Sequence, residues 1–139
     1  MAGRANLCGV SHRTQLAELP KINGELKDPG QRTLRSSHYI TGIDRSIKPD
    51  LLVVVGLCTH LGCAPKYHPD MGDPGLSTGS EQWPGGFFCP CHGSKFDLSG
   101  RVFQGVPASA NLLVPPYSFE GDNILVIGVN PESCLMTNY

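Results

Sequence analysis

The chain has 139 residues, 40% of them apolar and 17% charged, with a formal net charge of −1. That length and balance describe one globular domain able to bury a core of its own, and exclude a disordered chain. A near-neutral charge with no basic run excludes nucleic acid as a partner.

Seventeen glycines and twelve prolines favour a turn-rich, mainly β fold over a helical bundle. The longest apolar run, Leu51 to Leu57, is too short to cross a bilayer. No signal-peptide pattern follows Met1.

Residues 1–13 have no clear period and read as a loop or an edge strand. Thr14 is placed to cap one short helix through Leu19, with Leu16 and Leu19 on one face and Pro20 ending it. A second helical stretch is expected around Ile22 to Leu26, then a turn at Asp28-Pro29-Gly30. Gln31 to Pro49 is polar and mixed, an extended connection. Leu51-Leu52-Val53-Val54-Val55 is apolar on both faces and mostly β-branched, which describes a buried strand.

Ala64 to Gly86 is rich in Pro, Gly, Asp, Ser and Thr, and reads as a surface excursion in which Trp83 packs a small satellite core. Phe87-Phe88 is a short strand. Lys95 to Asp97 and Arg101 to Phe103 form a hairpin across a Gly-containing turn. Asn111 to Val114, Tyr117 to Glu120 and Asn123 to Val129 read as three further strands, and the chain frays from Pro131. His12, His38 and His68 read as ordinary surface histidines.

Two boxes stand out: Cys58-Thr59-His60-Leu61-Gly62-Cys63 and Cys89-Pro90-Cys91-His92-Gly93-Ser94. Four cysteines and two histidines in two six-residue stretches are a metal site, because thiolate and imidazole are the ligands that soft and borderline metals prefer. Neither box has the clean paired arms of a structural zinc site. A cluster held by four cysteines would leave both histidines idle. One Cys and one His from each box on a 2Fe-2S centre satisfies the pattern. Zinc stays open as the alternative metal, and buried free thiols as the alternative for Cys63 and Cys91.

Both boxes match, residue for residue, the signature of Rieske iron–sulfur proteins of cytochrome bc complexes, C-T-H-L-G-C followed by C-P-C-H-G-S. Gly100-Arg101-Val102 and Gly105-Val106-Pro107-Ala108 are also similar to that family. The resemblance is strong over about residues 48 to 128. It implies an antiparallel Rieske-type sandwich or barrel as base fold, with an inserted small cluster-binding subdomain. Within the single domain 1–139, the base fold would then take 1–55 and 110–139, and the subdomain 56–109.

By the same resemblance, Cys58 and Cys89 bind the inner iron of a 2Fe-2S cluster, and His60 and His92 the outer one. Cys63 and Cys91 form a disulfide, which belongs to an oxidising compartment. Cys8 and Cys134 have no place in the pattern and read as free thiols. Ser94 matches a serine that donates to a bridging sulfide. Phe96 stands where many relatives have a tyrosine donating to a ligand cysteine, so a potential below theirs is expected. Two neutral imidazoles in place of two thiolates put such centres at about −150 to +300 mV rather than near −400 mV.

The implied chemistry is electron and proton uptake from a quinol, with His92 and His60 as proton-accepting groups, and delivery of the electron to a c-type cytochrome. Cytochrome b would dock against Leu61, Gly62 and Pro107, the last in a Gly105–Ser109 loop covering the cluster. Ser109 stands where the family often has a second proline. The isolated domain is expected to have no enzymatic activity of its own. The family usually carries a targeting signal, a membrane helix and a hinge, so membrane contact is expected only through an anchor absent from this chain. The expected location is the periplasmic or intermembrane-space side. A soluble Rieske ferredoxin, or the Rieske subunit of an oxidase, is the alternative function.

Overall fold

The computed structural model describes residues 6–10, 13–32, 40, 42–77 and 82–131. His12, His38, Cys134 and the side chain of Cys8 lie outside the described residues. Seven strands run in chain order: β1 (Asn6–Val10), β2 (Leu51–Val55), β3 (Lys66–His68), β4 (Gly86–Phe88), β5 (Lys95–Asp97), β6 (Tyr117–Glu120) and β7 (Ile124–Ile127). All pairing is antiparallel. β1 lies on β2 with Asn6 opposite Val55, β4 is the centre of a β3-β4-β5 sheet, and β6-β7 is a hairpin. The mainly β expectation holds, but these strands form open sheets and no closed barrel forms among the described residues.

The continuous apolar run of β2 is buried on both faces, as its composition demands. Leu52, Val53 and Val54 join Phe87, Phe96, Val102, Leu112, Val114 and Tyr117 in the main core. Cys58 and Cys89 belong to that same core, so the metal boxes start from its edge. A second core gathers Ile22, Leu26, Leu76, Phe103 and the fully buried Trp83, whose indole N–H donates to the His68 carbonyl at 3.1 Å. Trp83 does pack a satellite core.

Five local readings need correction. The helix α1 covers only Arg13–Leu16, not Thr14 to Leu19. From Glu18 onward the amides reach back three residues, Glu18 to Gln15 and Leu19 to Leu16, and Pro20 has no N–H to continue. A single turn is too short to sustain a helix by itself, and burial of Leu19 and Ile22 sets the path instead. The second helical stretch is a 3₁₀ turn over Asn23–Glu25.

The excursion from Ala64 to Gly86 contains β3, which its composition hides. Lys66-Tyr67-His68 becomes a strand because β4 offers it a ladder, with Tyr67 stacking on Phe87 at 5.4 Å. Asn111 to Val114 is the reverse case. It is largely buried but joins no sheet, bonding Leu112 N–H to the Gly100 carbonyl and accepting the Val55 amide at Leu113. The last strand spans Ile124–Ile127, two residues short of the expected end, because Gly128 turns away at φ 97°.

The hairpin after Lys95 keeps its expected shape through the Phe96–Val102 bridge. Its turn holds a buried ion pair: Arg101 Nε to Asp97 Oδ2 is 2.7 Å, and both side chains have no exposure. The other Asp97 oxygen accepts from Ser99 N–H, Ser99 Oγ–H and Arg101 N–H. Arg101 also donates to the Leu19 carbonyl and to Asn23 Oδ1, tying the turn to the first helical segment. Buried Arg45 clasps the turn from the other side through the Ser99 and Leu112 carbonyls. Gly100, at φ 74°, sits between them, where a Cβ would meet Arg45, Leu112 and Val54.

Removing one partner of such a pair strands a buried charge, so Arg101→Met is expected to cost about 3–5 kcal/mol in denaturant unfolding. A loss under about 1 kcal/mol would mean that the pair is solvated. Burial and the nearby Asp70 carboxylate raise the Tyr67 phenol above its ordinary value. The folded state therefore favours the protonated phenol. Its contribution to stability is intact below pH of about 10 and declines as pH rises through the higher folded value. Titration of phenolate absorbance is expected to show Tyr67 ionising later than a free tyrosine; ionisation at the free value would contradict its burial.

Candidate metal centre

The two boxes fold as one turn used twice. In the first, Cys58 N–H donates to the Cys63 carbonyl at 2.7 Å and Gly62 N–H to the Cys58 carbonyl at 3.0 Å. In the second, Cys89 N–H donates to the Ser94 carbonyl at 2.8 Å and Gly93 N–H to the Cys89 carbonyl at 3.0 Å. Gly62 and Gly93 occupy the same place in the turn with φ of 84° and 80°, a left-handed backbone that only glycine adopts without strain. Nothing lies within 4 Å of a Cβ at either site, so backbone torsion and not space requires the glycine. The sequence carries this correspondence as C-x-x-x-G-C and C-x-x-x-G-S, beneath the more conspicuous Cys/His pattern.

Each turn starts where a strand leaves the core. β2 delivers Cys58 after Gly56-Leu57, and β4 runs straight into Cys89. Both cysteines are consequently buried, while the tips carrying Leu61 and His92 are exposed. Thr59 Oγ–H donates to the Ala110 carbonyl at 2.5 Å, which ties the first box to the chain beyond the proline loop. No residue pattern in the sequence signals this bond.

Cys63 and Cys91 are joined by a disulfide, with Cα atoms 6.5 Å apart and a sequence separation of 28. Closing a loop of that length is worth roughly 3–4 kcal/mol in the chain-entropy model. Locally it locks the two turns tip to tip. The disulfide sulfurs lie within 4.8 Å of the Cys89 sulfur, which therefore sits against the bridge. A disulfide sulfur is not a thiolate, so the bridge takes Cys63 and Cys91 out of the ligand set.

The four remaining donors sort by chemistry. Cys58 and Cys89 are free thiols, and both are buried in the main core. His60 and His92 meet edge to face with ring centroids 4.8 Å apart, His60 half-buried and His92 exposed. The sulfurs are buried and the imidazole rings lie nearer the surface. His60 Nδ1 is buried with no hydrogen-bond partner, alone in this among the described side-chain atoms. A buried nitrogen lone pair without a donor is unfavourable unless an ion fills the gap. Burial, ahead of any other cause, raises the Cys58 thiol above its ordinary value, so a nearby cation is what would bring it to thiolate. The residues present thus fit a metal group with an S,S side and an N,N side.

Ser94 is fully buried, and its Oγ accepts the Ala108 N–H at 3.0 Å. Phe96 is also fully buried, directly opposite Phe87 in the β4–β5 ladder and in the same core as both thiols. Leu61 is 71% exposed, the largest exposure of any big apolar side chain among the described residues. Gly62 and Pro107 are exposed as well.

Comparison with known proteins completes the assignment. The chain is 46% identical over 121 residues to the ubiquinol-cytochrome c reductase iron-sulfur subunit of Allochromatium vinosum, covering 86% of this chain and 57% of that protein. It is 43% identical over 124 residues to the subunit of the same name from Bradyrhizobium diazoefficiens, with coverages of 86% and 57%. It is 40% identical over 122 residues to the mitochondrial cytochrome b-c1 complex subunit Rieske of Chlorocebus aethiops, covering 86% of this chain and 36% of that protein. The chain thus spans little more than half, or about a third, of the length of these relatives. A family model described as the Rieske [2Fe-2S] domain matches residues 24–118, beginning well before the part in which the motif resemblance is strong. The chain belongs to the Rieske [2Fe-2S] domain family, whose cofactor is a Rieske-type 2Fe-2S cluster.

Proposed function

We propose that this chain is the cluster-bearing head of a quinol-oxidising cytochrome bc complex, taking one electron and one proton from quinol and passing the electron to a c-type cytochrome. The observation that carries the reading is the pair of imidazoles at the tip, one with an orphaned buried nitrogen, held over two buried thiols by a disulfide. The relatives named as reductase subunits support the same direction. Cys58, Cys89, His60 and His92 are the ligands in this reading, and residues 56–109 act as the cluster-binding unit.

When bound, the 2Fe-2S group supplies a one-electron acceptor whose charge is linked to the acidity of its histidine ligands. The protein residues do the rest. His92, exposed at the turn tip, accepts a hydrogen bond from the quinol hydroxyl at its outward nitrogen and holds the proton that leaves. His60 is screened by its neighbours and is the secondary acceptor. Leu61, Gly62 and Pro107 give the rim an apolar face for docking against cytochrome b, where water is displaced. The disulfide keeps the two turns in register as the proton comes and goes. The location that follows is the periplasmic or intermembrane-space side of an energy-transducing membrane. No helix among the described residues is long and apolar enough to cross that membrane.

The discriminating measurement is a redox titration of the visible spectrum across pH. A midpoint that is level at acid pH and falls above neutrality, as proton uptake becomes coupled to reduction, is expected. A low midpoint flat from acid to strongly alkaline pH would point to a ferredoxin-type carrier, and a colourless zinc protein would end the reading. Phe96→Tyr is expected to raise the midpoint by adding a hydroxyl donor near the cysteine ligands. An unchanged or lower midpoint would remove Phe96 as a determinant of potential.

A further inference from the structure

The Gly105–Ser109 loop has no strand partner, and Pro107 contributes no N–H, yet Ala108 is fully buried. What holds it is a lysine almost eighty residues away in sequence. Lys27 Nζ donates to the Val106 carbonyl and to the Ala108 carbonyl, each at 2.6 Å, so one ammonium grips both residues flanking Pro107. Its own backbone is anchored, because Lys27 N–H donates to the Val102 carbonyl at 3.0 Å beside the Leu26–Phe103 bridge. Charge-assisted bonds of this kind are about twice as strong as neutral ones. Two of them prevent the loop from pivoting about Pro107, which one would not.

The grip is transmitted inward. The residue whose carbonyl Lys27 holds, Ala108, uses its N–H on Ser94 Oγ at 3.0 Å, and the Ser94 carbonyl in turn accepts the Cys89 N–H at 2.8 Å. With a lone pair of Oγ engaged by Ala108, the Ser94 hydroxyl proton is directed away from the loop and toward the sulfur side. We propose that Lys27 is a positioning residue that tunes the cluster potential through Ala108 and Ser94, by holding the proline loop at the distance that keeps the serine hydroxyl aimed at the cluster. The inference rests on the reading of Cys58, His60, Cys89 and His92 as cluster ligands.

A loosened loop lets the serine hydroxyl rotate, and a hydrogen bond that stabilises the reduced state is weakened. A lysine also carries charge, and its removal could lower a potential through space alone. A double-mutant cycle separates the two routes. Cluster-loaded wild type, Lys27→Met, Lys27→Arg, Ser94→Ala and the Lys27→Met/Ser94→Ala double variant are compared by midpoint potential and by hydrogen exchange of the peptide spanning 104–110.

In Lys27→Met the midpoint is expected to fall and the Ala108 region to exchange about tenfold faster. Lys27→Arg, with a fork able to reach both carbonyls, is expected to recover most of both. On the Ser94→Ala background the Lys27→Met shift in potential is expected to vanish. An equal shift on both backgrounds would show charge acting through space and overturn the proposal. So would a Lys27→Met protein with the wild-type midpoint and wild-type protection. A wild type without a Rieske spectrum would overturn the ligand reading and this proposal together, and is told apart because it needs no variant to appear.

Discussion

The organising constraint of this protein is the meeting of two identical backbone turns across one disulfide. Each turn closes through the amide of its first cysteine and a left-handed glycine, and each begins at the rim of the main core. The consequence is directional. The first residue of each box stays buried with its sulfur inward, and the residues two or three further on swing out to the tip. Because the histidine is second after the cysteine in one box and third in the other, the two rings approach from different sides and meet edge to face. A sulfur side and a nitrogen side follow from backbone geometry before any metal is present.

Irregular turns of this kind have few hydrogen bonds of their own, so the rest of the domain supplies rigidity from beneath. The Asp97–Arg101 pair fixes the hairpin that leaves the second box, and Arg45 fixes the same hairpin against Leu112. Burying charge in this way is a poor source of stability compared with apolar packing. Its value here is that guanidinium groups satisfy several carbonyls at once, which apolar side chains cannot. Leu19, Ser99 and Leu112 contribute carbonyls from three parts of the chain that no common sheet joins. The proline loop is held by the same device at the surface, with lysine in place of arginine.

The outer face of the site follows a different rule. His92, Leu61, Gly62 and Pro107 are exposed where most of the boxes are not, and they combine an apolar rim with an imidazole. Under the proposed function, that surface first excludes water and then exchanges a proton, which takes both. The turn places them by geometry alone, since the exposed tip is the part farthest from β2 and β4.

Much of the site was legible in the chain itself, because ligand chemistry is local: thiols, imidazoles and the glycines that let a turn close sit within six residues of one another. Strands whose pattern reflects their own burial, such as Leu51–Val55 and Tyr117–Glu120, were legible for the same reason. What only the tertiary structure decided depends on partners distant in sequence. Lys66-Tyr67-His68 is a strand because β4 lies beside it, whereas Asn111 to Val114, with a better strand composition, has no ladder to join. Asp97 and Arg101 look like surface charges until the fold closes over them. Lys27 has no meaning in sequence, since its two carbonyl partners come within reach only when the chain has folded back over nearly eighty residues. Short-range chemistry is written in the order of residues; long-range hydrogen bonding is written only in their packing.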